Sequence, residues 1–118
     1  MTYNIRRRHH DILAVDDGVR AWTATVDPDR TIRRIANATS NRPIKLDGPL
    51  GKRITAAVHD WLVECANRLP TALEIYTRAL VAPEYDGQRE EAWHRCLQLG
   101  ATHDDYIRAR RRAERIAS

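Results

Sequence analysis

The sequence contains no phenylalanine, two cysteines and no apolar run near the ~20 residues that span a bilayer. Two cysteines are too few for the disulfide framework of a small secreted scaffold. Cys65 and Cys96 are therefore expected as buried thiols in a reducing compartment, and nothing favours a disulfide between them. The basic start of the chain is followed only by the apolar run 12–15, which is too short for a signal peptide. We therefore expect a cytoplasmic protein that makes no membrane contact.

Motifs that would carry catalysis, a cofactor or a metal ion are also missing. Ser40 and Ser118 are the only serines, and residues 48–52 lack the spacing of a phosphate-binding P-loop. The chain has no CxxC and no HExxH. His94 and Cys96 are two positions apart on a predicted helix, so they point in different directions. We therefore expect no cofactor and no metal, and we do not expect an enzyme.

Arginine dominates the basic side chains and gives the chain a modest positive charge. Of the 20 cationic residues 18 are arginine, the net charge is +4 and the pI is near 9.5. This excess permits nucleic-acid binding without requiring it, and arginine suits phosphate clamping better than lysine does. The high arginine share and the missing phenylalanine are also typical of a high-GC bacterium or one of its phages. The ratio by itself therefore says nothing of function.

The start of the chain predicts a β-hairpin. Two short apolar runs, 12–15 and 19–26, flank an Asp-Asp-Gly sequence at residues 16–18, which is typical of a hairpin turn. Residues 29–39 fit either a short helix or a third strand. We favour the helix, because Pro28 suits a first helical position.

The second half of the chain predicts helices. From Lys52 onward, apolar residues recur at steps of three and four. Pro70 is expected to end the first helix and Pro83 the second, since proline interrupts the backbone hydrogen-bond ladder. Asp86 is the expected cap of a third helix, which Gly100 ends as a left-handed C-cap.

The last predicted helix has one apolar and one cationic face. Thr102 is a good N-cap, and Asp105 places a carboxylate in the first turn. Both faces repeat at steps of three and four. The apolar face consists of Tyr106, Ala109, Ala113 and Ile116. The cationic face consists of Arg108, Arg111, Arg112 and Arg115.

The segment from Leu99 to Ala113 resembles the turn and recognition helix of bacterial helix-turn-helix regulators, including the promoter-reading end of sigma factors. Cys96 holds the place of the small residue in the first helix, Gly100 that of the turn glycine, and Tyr106 and Ala109 those of apolar residues in the second helix. Tyr106 departs from the usual Val or Ile, and Cys96 from the usual Ala. The resemblance covers about a fifth of the chain.

The resemblance implies a DNA-binding surface on the last helix. Residues near base edges would be His103, Asp104, Ile107 and Arg108. Residues that meet phosphates would be Arg111, Arg112 and Arg115. The alternative without a binding role is a surface helix whose arginines are solvated, or paired at i,i+4 spacing as in Asp104–Arg108 and Arg110–Glu114.

A second basic segment lies near the start of the chain. Arg6, Arg7 and Arg8 precede two histidines and, as a flexible arm, would enter a minor groove or clasp phosphates. The alternative is a solvated strand or tail.

The predicted fold is α+β and mainly α, with an N-terminal β-hairpin and a C-terminal bundle of about four helices that ends in a helix-turn-helix-like pair. It forms a single domain over residues 1–118. Its parts are an N-terminal α/β part with a basic arm (1–40), a loop (41–51) and a helical part (52–118).

Three functions follow from these features. The preferred one is a small cytoplasmic regulator that binds double-stranded DNA without a cofactor, and a homodimer is an expected assembly although no dedicated dimerisation helix is visible. The first alternative is a non-enzymatic protein-binding module, such as a phage-encoded inhibitor of a host protein. It would use the exposed hairpin with Trp22 as its anchor, together with the charged lobes formed by the acidic segment 84–91 and the basic last helix. The second is a basic ribonuclease-like toxin, which predicts RNA cleavage that is lost when His59 or His94 is changed.

Overall fold

The computed structural model describes residues 2–117, apart from the side chains of residues 85 and 86. The fold is α+β and mainly helical, with a four-stranded antiparallel sheet followed by three α-helices. The strands are β1 (Asn4–His9), β2 (Ile12–Asp16), β3 (Ala21–Val26) and β4 (Ile32–Asn37). The α-helices are α1 (Pro49–Val81), α2 (Arg89–Gln98) and α3 (His103–Ala117), with a 3-10 helix at Pro83–Gln88 before α2.

The predicted hairpin is confirmed as β2 and β3, and each strand pairs with its neighbour in the order β1-β2-β3-β4. Gly18 has φ +93°, a region that favours glycine. The Asp17 carboxylate accepts hydrogen bonds from the amides of Val19 (3.0 Å) and Arg20 (2.7 Å). These bonds favour the charged form, so they lower the pKa of Asp17.

The helix predicted over residues 29–39 is wrong, because this segment contains strand β4. A turn precedes the strand: the Arg30 amide donates to the Asp27 carbonyl at 2.9 Å, and the Asp27 amide donates to the Thr31 carbonyl at 2.8 Å. Ile35 then pairs with Ala24 of β3 and is fully buried. Helix propensity is a weak preference that pairing with a neighbouring strand overrides.

The inner face of the sheet packs against the first turns of α1. Trp22, at 3% exposure, lies on this face, so the exposed tryptophan expected for a protein-binding hairpin is a wrong prediction. Its strand alternates strictly, and the sequence could not say which of the two faces is covered. The buried core of this region consists of Leu13, Val15, Trp22, Ala24, Val26, Ile32, Ile35, Ile54, Val58 and Leu62.

Helix α1 runs through Pro70 without a break, which explains why there are three α-helices and not about four. It also begins at Pro49, so the predicted loop 41–51 ends at residue 48. Pro70 is exposed, so water can hydrogen-bond the carbonyl that its missing N–H leaves without a donor. Buried residues recur on both sides of it, at Cys65, Ala72 and Tyr76. This continuous apolar stripe stabilises one long helix in place of two short ones.

The chain divides into two compact units, residues 1–63 and residues 64–118, and the division falls inside α1. The single-domain organisation stays a prediction. The second unit has its own core, built from α1, α2 and α3. Its buried residues are Ala72, Tyr76, Cys96, Ala101 and Ala109, with Leu69, Leu73, Leu80, Ala92, Trp93, Leu99 and Tyr106 packed around them.

Candidate nucleic-acid interface

Helix α2 ends at Gln98, and Gly100 follows it in the left-handed conformation, as predicted, within a Schellman motif. Gly100 has φ +98°. Its amide donates to the Leu97 carbonyl at 3.0 Å, and the Ala101 amide donates to the Cys96 carbonyl at 3.0 Å. Cys96 and Ala101 are both buried, which supplies the apolar contact that accompanies this motif. The expected start at Asp86 is wrong, because α2 begins at Arg89; the Asp86 side chain lies outside the described residues.

Helix α3 begins with the predicted cap. The Asp105 amide donates to the Thr102 hydroxyl at 3.2 Å, and the Thr102 amide donates back to the Asp105 carboxylate at 2.9 Å. This is a capping box with aspartate in place of glutamate. The Schellman motif of α2 extends to Ala101 and the capping box begins at Thr102. These hydrogen bonds therefore constrain the backbone torsion angles of the whole turn from Leu99 to Thr102. The direction of α3 is therefore fixed by local chemistry.

The inner face of α3 packs through small residues and one aromatic ring. Ala109 and Ala113 are buried. The Tyr106 ring lies 5.1 Å from the Trp93 ring and 6.3 Å from the Tyr76 ring, between centroids. Ile116, predicted on this face, is 55% exposed and so lies outside the buried part of the face.

Two of the predicted DNA-binding arginines of α3 are exposed and unpaired. Arg108 and Arg111 face solvent, and neither has an ion-pair partner among the described side chains of residues 2–117. The i,i+4 pair between Asp104 and Arg108, which a surface helix without a binding role would form, is not present among the described side chains. Asp104 and His103 are also exposed, and the His103 ring stacks on Tyr106 with centroids 6.1 Å apart.

Arg112 has a partner on α1. Its Nη1 lies 2.5 Å from the Glu74 Oε2 and its Nη2 lies 3.2 Å from Oε1, which makes a two-pronged ion pair. Arg78 lies 3.8 Å from the same carboxylate. The cationic face of α3 is therefore neutralised in part: Arg112 is held by Glu74, while Arg115 is exposed in the last turn.

Arg110 is a basic residue of α3 that the sequence analysis did not assign to the site. Its guanidinium lies 5.5 Å from the Tyr106 ring centre, and its hydrogen bond with the Tyr76 side chain raises the pKa of Arg110. Burial raises the pKa of Tyr76 itself. Through this hydrogen bond to Tyr76, Arg110 links α3 to α1. In the sequence, the position of Arg110 between the apolar and cationic stripes of the helix could have indicated that its side chain contacts the core.

The N-terminal basic segment is a strand and not an arm. Arg6 and Arg8 are exposed on β1, whereas Arg7 points to the opposite face. The Arg7 guanidinium lies 5.6 Å from the Trp61 ring centre and donates to the His10 carbonyl at 2.7 Å. The three consecutive arginines therefore do not act as one group, because successive residues of a strand face opposite sides.

The net positive charge of the chain comes from the first unit. Residues 1–63 carry eleven cationic and seven anionic side chains, a net charge of +4. Residues 64–118 carry nine of each sign, so this unit has no net charge. The arginine face of α3 is therefore a local patch on a neutral unit, and attraction toward a polyanion over longer distances comes from the sheet unit.

The two histidines of the ribonuclease alternative, His59 and His94, lie in different units, and both are exposed. His59 borders an open cleft of about 440 Å³ in the first unit, beside Arg30 and Thr55. His94 lies 3.6 Å from Glu90, one turn away on α2. Among the described side chains of residues 2–117, no group of three His, Cys, Asp or Glu side chains could hold a metal ion. No helix in the same range is long and apolar enough to cross a bilayer.

Comparison with protein-family models, curated proteins and solved structures found no match for this chain.

Proposed function

We propose that the protein is a small DNA-binding regulator that contacts double-stranded DNA with the outward face of α3. The observation that carries the proposal is the pair of exposed arginines, Arg108 and Arg111, on a helix whose direction is fixed by the capping box at its start. A cationic helix that is rigidly held can meet phosphates without first being ordered, so less conformational entropy is lost on binding.

In this proposal affinity comes from arginine–phosphate contacts and base reading is limited. Arg111, Arg112 and Arg115 meet phosphates on one strand. His103, Asp104, Ile107 and Arg108 lie toward base edges, where Asp104 accepts a hydrogen bond from a cytosine amino group.

Arg112 has to exchange its bond with Glu74 for a phosphate, so it contributes less than its neighbours. The regulator acts in the cytoplasm, and a homodimer would let two copies of α3 read two half-sites.

The test is a salt titration of binding to a random duplex with the double variant Arg108→Gln/Arg111→Gln. Each lost phosphate contact lowers the slope of log K against log salt by about 0.9, so the slope should fall by about 2 in magnitude and affinity by about thirtyfold at 0.15 M salt. The matched control is Arg68→Gln/Arg95→Gln, which removes the same charge from exposed positions outside α3.

Equal losses in the two double variants would mean that the effect is general charge and would contradict the proposal. Absence of wild-type binding at 20 mM salt would also end it. A protein-binding role is the alternative, although its expected anchor Trp22 is buried.

A further inference from the structure

The outer face of the sheet, which is the face opposite α1, carries mostly small, uncharged side chains at its centre. The register places Arg6, Ala14, Thr23 and Ala36 side by side across the four strands. Ala14 and Thr23 are partly exposed, whereas Ala36 is buried and forms a bridge with Pro43. The next row on the same face contains Ile12, Thr25 and Arg34. Trp22 belongs to the inner face, so the outer face carries no tryptophan, tyrosine or phenylalanine ring in strands β1–β4, and His9 opposite Ile12 is its one imidazole there.

Cationic side chains lie at both edges of the outer face, on β1 and on β4. At the β1 edge a bulge between Arg7 and His9 sets Arg8 beside His9 opposite Ile12, so Arg6 and Arg8 share the outer face. At the β4 edge Arg34 is held in place, because its Nη2 donates to the Asn41 carbonyl at 2.8 Å and its Nη1 to the Asn41 Oδ1 at 3.2 Å. Strands about 4.8 Å apart put the two edges roughly 14 Å from each other.

Within strands β1–β4 the only carboxylate is that of Asp16, and it already accepts two hydrogen bonds. Asp16 lies at the end of β2, where it accepts hydrogen bonds from the Asn4 side-chain amide at 3.1 Å and from the Gly18 amide at 3.0 Å. Arg6 and Arg8 have no ion-pair partner among the described residues. Together with the net charge of +4 on residues 1–63, this leaves the outer face positive.

We propose that the outer face of the sheet is a second nucleic-acid contact surface, which binds the phosphate backbone of a duplex through Arg6, Arg8 and Arg34. This inference rests on the proposed function, and it replaces a flexible arm with a rigid surface. Small side chains at the centre let a backbone approach closely, and the threonine hydroxyls donate to phosphate oxygens. Because no tryptophan, tyrosine or phenylalanine ring is available as a platform for base stacking, the face suits a duplex and not a single strand.

The experiment compares the full chain with two charge-matched double variants in binding to a random 20-base-pair duplex. Arg6→Gln/Arg8→Gln removes the β1 edge cations. Lys52→Gln/Arg53→Gln removes two exposed cations from α1, in the same unit but away from the outer face. The first pair should lower the salt slope by about 2 in magnitude and affinity by about thirtyfold at 0.15 M salt. The second pair should change the slope by less than about 0.5.

Equal behaviour of the two pairs overturns the inference, as does tighter binding to a single strand of the same length. The α3 variants separate this inference from the proposed function. If Arg108→Gln/Arg111→Gln weakens binding and the β1 pair does not, only the sheet surface is refuted. If the β1 pair alone weakens binding, the sheet surface stands and the α3 interface is refuted. Thermal unfolding of each variant checks that the sheet is intact, so a lost β1 strand is not taken for a lost contact.

Discussion

Replacing Glu74 by glutamine should strengthen DNA binding while weakening the fold. The Glu74 carboxylate holds Arg112 through two contacts and lies 3.8 Å from Arg78. The side chains of Glu74 and Arg112 are 35% and 53% exposed, so solvent screens the pair. A pair of this kind contributes about 0.5–1 kcal/mol, which predicts a fall of about 2–5 °C in the melting temperature.

The same change frees Arg112 for a phosphate. One further contact steepens the salt slope by about 0.9 and raises affinity about fivefold at 0.15 M salt. The assay is fluorescence anisotropy with a labelled random duplex across a salt series, with thermal unfolding of the same samples.

Glu91→Gln is the matched control, because it removes an exposed carboxylate from the same unit without releasing an arginine of α3. If Glu74→Gln lowers stability yet binds DNA no better than Glu91→Gln does, Arg112 does not reach DNA and the orientation proposed for α3 is wrong.

Two further predictions concern the turn and its core. Gly100→Ala should lower the free energy of unfolding by about 1–2 kcal/mol in urea titrations, because φ +98° is strained for a residue with a Cβ; Gly87→Ala, whose added Cβ meets nothing within 4 Å, should change it little, and equal effects would refute the Schellman assignment. Burial raises the pKa of the Cys96 thiol to about 11, so iodoacetamide at pH 8 should label the Cys96 peptide only after unfolding. Rapid labelling of the native protein, read by mass spectrometry, would show that the packing around this residue is loose.

Local chemistry was readable from the sequence where neighbouring residues determine the structure. The Asp-Asp-Gly hairpin turn, the left-handed Gly100 and the Thr102–Asp105 capping box all depend on residues within a few positions of one another. The outward position of Arg108 and Arg111 followed from helical periodicity in the same way.

Features that depend on distant partners were not readable. Strand β4 forms because Ile35 finds Ala24 across the sheet, and Trp22 is buried because α1 covers one face and not the other. The Arg112–Glu74 pair joins residues 38 positions apart, and periodicity carries no information on such a contact.

The most direct test of the account is an NMR titration that follows the arginine Nε–H signals of the full chain as a random duplex is added at low salt. Contact through the outward face of α3 predicts shifts for Arg108 and Arg111 below one equivalent of duplex, with little change for Arg68 and Arg95. Unchanged signals for Arg108 and Arg111 while the duplex binds, or no binding at all, would contradict it.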